Sequence, residues 1–227
     1  MNAVVTGATG GIGSAMVGVL VARGARVCAV ARPSDALDAI SAAPAVVAAP
    51  LDLRRPEELP AAVRELDSLD VLVHAAGIAD IASVADSAHE LWQRHLTVNL
   101  TGPAELTRAL LPALRAARGR VVFVNAVAGL HGVPRWAAYA ASKAALTELA
   151  DSLRLEVAPH GVRVTSIYPG GVATELLRTV RAGFGREFDP ARCVSPETLA
   201  HVVASVLDAP PDVDITDISL QPPPPPA

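Results

Sequence analysis

Aromatic residues are scarce in this chain: three Phe, two Tyr and two Trp make up 3% of its 227 residues. A core must then be filled by Ala, Val and Leu, which suits close packing of helices on a sheet. Cysteine is almost as rare. Cys28, in an apolar run, and Cys193, near a loop, suggest neither a disulfide framework nor a metal site, and both read as reduced thiols. No charge sign dominates: 19 Lys and Arg against 23 Asp and Glu give a net charge of −4, with the basic residues scattered. Such a pattern leaves no electrostatic footprint for nucleic acid, although a few local donors suffice for a phosphate-bearing small molecule. No apolar run reaches the ~20 residues of a membrane span. No basic and apolar leader precedes the first strand-like segment, so a soluble cytoplasmic protein is expected.

Hydrophobicity, by contrast, is plentiful, at 51% with a mean hydropathy of +0.37, enough for one α/β-sized core. The run Ala3-Val4-Val5 passes at once into Thr6-Gly7-Ala8-Thr9-Gly10-Gly11-Ile12-Gly13 and then a helical stretch from Ser14 to Arg23. Strand, glycine turn, helix is the order a nucleotide-phosphate site requires. Glycines let the backbone approach a pyrophosphate, and a helix N-terminus offers free N–H groups and a favourable dipole. The plainer reading is a flexible turn.

Arg26 to Ala31 reads as a second strand. Dinucleotide sites often carry an acid at its end to grip the adenosine ribose; here Ala31 is followed by Arg32. An arginine suits a 2′-phosphate, so NADP(H) is expected over NAD(H). The weaker alternative is an exposed loop arginine, since the glycine loop holds no second basic residue. A third run, Ala45 to Ala49, ends in Leu51-Asp52-Leu53. Asp52 can accept from an adenine amine or cap a helix starting near Pro56. The fourth strand, Val71 to Val73, enters His74-Ala75-Ala76-Gly77, where small residues let a ligand lie against the backbone and His74 reads as structural.

Ser87 to Leu100 look helical, and Asn99 within that run marks a local break or a buried amide with a task. A fifth strand, Arg120 to Val124, leads to Asn125-Ala126-Val127-Ala128-Gly129. Next comes Tyr139-Ala-Ala-Ser-Lys143, opening a helix to about Ala158. Four residues place phenol and ammonium on one helical face. A fixed cation there lowers the phenol pKa from its usual ~10 and allows proton exchange with an alcohol or carbonyl oxygen. A sixth strand, Val162 to Tyr168, ends in Pro169-Gly170-Gly171-Val172-Ala173-Thr174. Weak periodicity with Gly183, Gly185 and Pro190 makes residues 175–196 a candidate lid. A helix from Pro196 to Leu207 and a strand from Val213 to Leu220 follow, and residues 221–227 form a proline-rich tail expected to be disordered.

These segments together resemble the short-chain dehydrogenase/reductase family over nearly the whole chain. The glycine motif falls on Thr6-Gly7, Gly11, Ile12 and Gly13, the Asn-Asn-Ala-Gly motif on His74 to Gly77 with only its last two residues kept, the helix asparagine on Asn99, the Tyr-x-x-x-Lys pair on Tyr139 and Lys143, and the Pro-Gly turn on Pro169, Gly170 and Thr174. The resemblance implies a single doubly wound, mostly parallel seven-stranded sheet over residues 1–220, and an NADP(H)-linked oxidoreductase interconverting a small carbonyl substrate and an alcohol. It implies Tyr139 as proton donor and acceptor, Lys143 as the group that lowers its pKa and holds the nicotinamide ribose, and Asn99 as anchor of a water leading to solvent. Gly7, Thr9, Gly11, Ile12 and Gly13 would face the pyrophosphate. Arg32, Asp52 and Leu53 would meet the adenosine; Ala75, Ala76 and Gly77 the middle of the cofactor; Pro169, Gly170, Val172 and Thr174 the carboxamide. No metal is implied. Pairing through the Ala-rich faces at residues 104–117 and 137–150 would give a homodimer or homotetramer.

One position departs from the family pattern. Its substrate-binding serine, thirteen residues before the tyrosine, is Ala126 here. A methyl cannot donate, which removes an oxyanion contact worth about 2.7–4 kcal/mol. Strand alternation would aim the neighbouring Asn125 away. Three accounts stand open: a donor supplied by substrate, water or a side chain such as His131; a catalytically impaired serine-to-alanine variant, natural or engineered; and an NADP(H)-binding protein with a non-redox or regulatory role.

Overall fold

A computed structural model describes residues 1–126 and 132–222. The turn from Val127 to His131 and the tail from Pro223 lie outside the described residues. Seven parallel strands form one sheet in the order β3-β2-β1-β4-β5-β6-β7. In chain order they are β1 Asn2–Thr6, β2 Arg26–Ala31, β3 Val46–Pro50, β4 Val71–His74, β5 Arg120–Val124, β6 Arg163–Pro169 and β7 Asp217–Leu220. The helices between them are α1 Gly11–Ala22, α2 Asp35–Ser41, α3 Ala61–Arg64, α4 His89–Leu96, α5 Gly102–Ala117, α6 Ala137–Val157, α7 Glu175–Gly183 and α8 Pro196–Leu207. This is the expected doubly wound α/β architecture, and the chain reverses its direction of growth between β1 and β4.

Strand alternation divides the apolar side chains between two cores. Val5, Val27, Ala29, Val73 and Val122 face one side, where Met16 and Leu20 of α1 and Leu199 and Val203 of α8 cover them. Val4, Cys28, Leu72, Val121 and Phe123 face the other, beneath Leu106 and Leu110 of α5 and Leu146 and Leu153 of α6. Small residues keep the layers close. A Cβ on Gly13 would stand 2.0 Å from the Gly7 carbonyl oxygen. Gly7 has φ +66°, and its Cβ would meet the Ala76 backbone at 2.8 Å. Among the described residues, no helix is long and apolar enough to cross a membrane.

Three local expectations need correction. The helix expected over 87–100 is α4 followed by one π-helical turn, Thr97–Thr101, which widens the backbone around Asn99. The 175–196 segment contains a regular helix, α7, because Leu177 and Val180, three residues apart, face inward while Leu176 stays exposed; Thr174 caps it by accepting from Leu177 N at 3.2 Å. Its two ends are tied to each other through Val194 N to Gly171 O and Ala173 N to Val194 O, each at 2.9 Å. Finally, Asp52 caps no helix near Pro56. Its Oδ1 accepts from Arg54 N at 3.0 Å in a local turn, and α3 begins later, behind Pro60.

Candidate active site

The carboxyl ends of β1, β4, β5 and β6 open onto two adjoining cavities of about 360 Å³ each. Ile12, Ala75, Ala76, Gly77, Thr174 and Leu176 line both, so the two form one cleft across the point where strand order reverses. The lobe on the β2 side is walled by Gly7, Thr9, Gly11, Gly13, Arg32, Asp52 and Leu53. The lobe on the β6 side is walled by Ala126, Tyr139, Lys143, Pro169, Gly170 and Val172. Thus the residues singled out from sequence converge, with one exception. Asn99 is fully buried and lines neither lobe.

Asn99 sits behind Gly77, whose added Cβ would stand 3.3 Å from Asn99 Oδ1 and 3.8 Å from Lys143 Nζ. The π turn aims its amide at two targets. Oδ1 accepts from Ile78 N at 2.9 Å; Nδ2 donates to Ile78 O at 3.0 Å and to Ser142 Oγ at 2.9 Å. Ser142 in turn donates to Tyr139 O at 2.7 Å. The amide therefore couples the loop after β4 to the first turn of α6. Thr6, at the end of β1, supports the same loop by accepting from Ala75 N and Ala76 N, each at 3.2 Å.

Helix α6 presents Tyr139 and Lys143 one turn apart, as the spacing requires. Lys143 is buried, and its ammonium donates to Val124 O at 2.9 Å at the end of β5. Burial pulls its pKa down to about 8. Tyr139 behaves opposite to expectation. Protein packed around the phenol pushes its pKa up to about 12, because loss of solvent disfavours the phenolate and the ammonium is turned to Val124. Tyr139 thus holds its proton at neutral pH. Nearby, His74 is buried against Phe123, with ring centroids 4.9 Å apart, and shares a 2.8 Å hydrogen bond with Thr107. Burial, helped by the charge of Lys143, drives its pKa down to about 3, so the ring is neutral.

Asn125 is not turned wholly away. It lines the Tyr139 lobe, although its Nδ2 donates to Thr147 Oγ1 at 2.9 Å and its Oδ1 accepts from Ala126 N at 2.9 Å. His131, the other candidate donor, lies outside the described residues.

Several residues of the site were not singled out individually by the sequence reading, although Trp136, Arg181 and Arg186 fall in the two stretches, 131–136 and 175–196, read as shaping the substrate pocket. Arg54 joins Arg32 on the β2-side lobe, and its Nε donates to Asp52 Oδ2 at 2.9 Å, which holds the Asp52 carboxyl below its usual range. Trp136 stacks on Tyr139 at 4.5 Å and meets the edge of Phe184 at 5.7 Å. Its Nε1 is buried without a partner among the described residues. Arg181 and Arg186 line the same lobe. The i, i+3 spacing of Trp136 and Tyr139 was a readable signal; the arginines came from a segment whose helix was missed.

A dinucleotide fits these residues. The N-terminus of α1 has Gly10 at its cap, no side-chain cap and no acid in its first turn, and it opens on the cleft between the two lobes. Arg32 and Arg54 supply positive charge at one end. Among the described residues, no group of three or more His, Cys, Asp or Glu side chains converges as a metal site.

Fold and cleft are those of a doubly wound, Rossmann-like α/β protein. The model of the short chain dehydrogenase family matches residues 1–184, and the chain belongs to that family. Membership makes it an NAD(P)-dependent oxidoreductase of CH–OH and C=O groups. It is 32% identical to the Drosophila melanogaster dehydrogenase/reductase SDR family protein 7-like, over 94% of this chain and 72% of the relative. A short-chain dehydrogenase from Burkholderia cenocepacia in complex with NADP superposes with a TM-score of 0.82 at 28% identity, covering 96% of this chain and 87% of that one. An alcohol dehydrogenase from the archaeon Thermococcus sibiricus complexed with 5-hydroxy-NADP gives 0.83 at 25% identity, covering 97% and 96%.

Proposed function

We propose that this chain reduces a ketone or aldehyde with NADPH, Tyr139 giving its proton to the carbonyl oxygen, and runs the reverse oxidation when alcohol and NADP⁺ are supplied. The observation carrying this reading is the single cleft that joins an uncapped helix N-terminus and two arginines to a protonated phenol beside a buried ammonium. When bound, the dinucleotide supplies the hydride. The chain's own residues do the rest. The first N–H groups of α1 hold the pyrophosphate, Ala75 to Gly77 give it a surface without side chains, and Lys143 reaches the nicotinamide ribose. Val172 N–H and the hydroxyl of Thr174 position the carboxamide. Asn99 acts through Ser142 to fix the α6 turn that carries Tyr139. Residues 1–220 act as one domain, with 175–196 closing over the substrate lobe.

Preference for NADPH rests on Arg32 and Arg54. A guanidinium pair matches a 2′-phosphate, and the tie between Arg54 and Asp52 masks the carboxylate that would repel it. Replacing Arg54 by Ala removes one charge-assisted contact and unmasks Asp52. The KM for NADPH should then rise about tenfold or more while that for NADH moves less than threefold. An unchanged ratio would remove Arg54 from the account.

Ala126 favours a second reading. With a methyl where the family has its serine, the chain would bind NADP(H) and turn over slowly or not at all. NADPH consumption against a panel of ketones and aldehydes, paired with cofactor binding by fluorescence, separates the two. Turnover on any panel member supports the reductase; tight binding with none supports the sensor or impaired enzyme.

A further inference from the structure

We propose that the lobe beside Tyr139 selects a carbonyl substrate bearing a carboxylate, set apart from the carbonyl by an apolar spacer. This rests on the oxidoreductase reading above. Three cations line the lobe, Lys143, Arg181 and Arg186, and among its described lining residues there is no Asp or Glu. Lys143 is committed to Val124 O. On α7 Arg178 pairs with Glu175, but neither Arg181 nor Arg186 has an ion pair among the described residues. Arg181 donates one Nη1–H to the main-chain oxygen of Glu187 at 3.2 Å. The Arg186 guanidinium lies over the Phe184 ring, 5.6 Å from its centroid, which orders the head group without using its N–H donors. Arg135 lies 5.9 Å from that same centroid and adds to the positive potential.

Like charges gathered on one cavity wall raise each other's cost, and an anion relieves it. A planar fork of N–H donors matches a carboxylate. The spacer follows from the apolar contacts that link Arg186 to the reacting phenol. Trp136 stacks on Tyr139, Phe184 meets Trp136 edge-on, and the Arg186 guanidinium packs on Phe184. Leu176, Leu177 and Val180 complete that apolar stretch. A carboxylate adjacent to the carbonyl would sit among these hydrocarbon groups; one on a tether reaches the guanidinium groups.

The test uses the full chain with phenyl ketones carrying a terminal carboxylate on tethers of two to five carbons, each beside its methyl ester. Binding is measured by calorimetry in the presence of NADP⁺, which cannot reduce a ketone, so affinity is read without turnover. At the best tether the acid should bind about tenfold to a hundredfold tighter than its ester. In Arg181→Gln/Arg186→Gln that gap should fall below threefold, and in Arg181→Lys/Arg186→Lys it should return in part. Retained NADP⁺ affinity shows that the variants are folded. Equal affinity for acid and ester, or a gap that survives the double variant, would overturn the proposal. Should both ketones be reduced by NADPH with no such gap, the oxidoreductase reading stands and the carboxylate site fails. A variant-sensitive preference for the acid without reduction of either ketone means the reverse.

Discussion

The methyl of Ala126 faces the same cavity as the Tyr139 phenol, and this pairing gives the sharpest test at the scale of single residues. Ala126→Ser restores a hydroxyl donor at the edge of that cavity, and kcat should rise about a hundredfold to a thousandfold. No rise would mean that the contact is made elsewhere or never needed. Proton state gives a second test. Tyr139 keeps its proton up to about 12, while Lys143 loses its charge as pH rises through about 8. Reductive kcat/KM should be level below neutrality and fall above about pH 8, as the ammonium that holds the ribose is lost. A rise in the oxidative kcat/KM between pH 8 and 10 would instead indicate a phenolate working as base. Sequence spacing was enough to bring Tyr139, Lys143 and Ala126 into one cavity. It could not foresee that Lys143 would turn to Val124 O, since a side chain's choice between two partners depends on a strand nineteen residues away.

Among the elements, the loop after β4 is held from three sides, by Thr6, by Asn99 in its π turn, and by His74 packed beneath it. His74 makes this region sensitive to acid. Its folded pKa of about 3 lies below the ordinary imidazole value of 6.5, so between those values the unfolded chain binds more protons. Stability therefore falls as pH drops from about 6.5 towards 3, by up to about 1.4 kcal/mol per pH unit. His74→Asn should flatten that slope in urea titrations; an unchanged slope would place the acid sensitivity in another group. The strands were legible because buried parallel strands are short apolar runs bounded by turn residues. Their ends shifted by a residue or so, and β7 shortened to Asp217–Leu220. Helix α7 was missed because Gly183 and Gly185 suggested an irregular lid, whereas both fall at or after its last turn. Likewise, nothing local in Thr97–Thr101 announces a π turn. It forms because the Asn99 amide finds Ile78 and Ser142, partners that only the folded chain supplies.

For the whole molecule, the account depends on two lobes acting as one cleft. Their union at Ile12, Ala75 to Gly77, Thr174 and Leu176 was implicit in strand order, because ligands of open parallel sheets lie where that order reverses. Arg54 joined it unforeseen, since the single residue separating it from Asp52 gave no hint that the two would meet as a pair beside Arg32. We expect the chain to assemble as a dimer or tetramer through the Ala-rich faces of α5 and α6; a monomeric mass by light scattering at micromolar concentration would contradict this. The central claim is that a cofactor in this cleft brings its reactive ring to the phenol of Tyr139. Tyr139→Phe tests it most directly, with NADPH affinity and single-turnover reduction measured on the same preparation. The account predicts that affinity stays within about threefold while reduction slows by a hundredfold or more. Reduction at the parent rate by the Phe variant would contradict it.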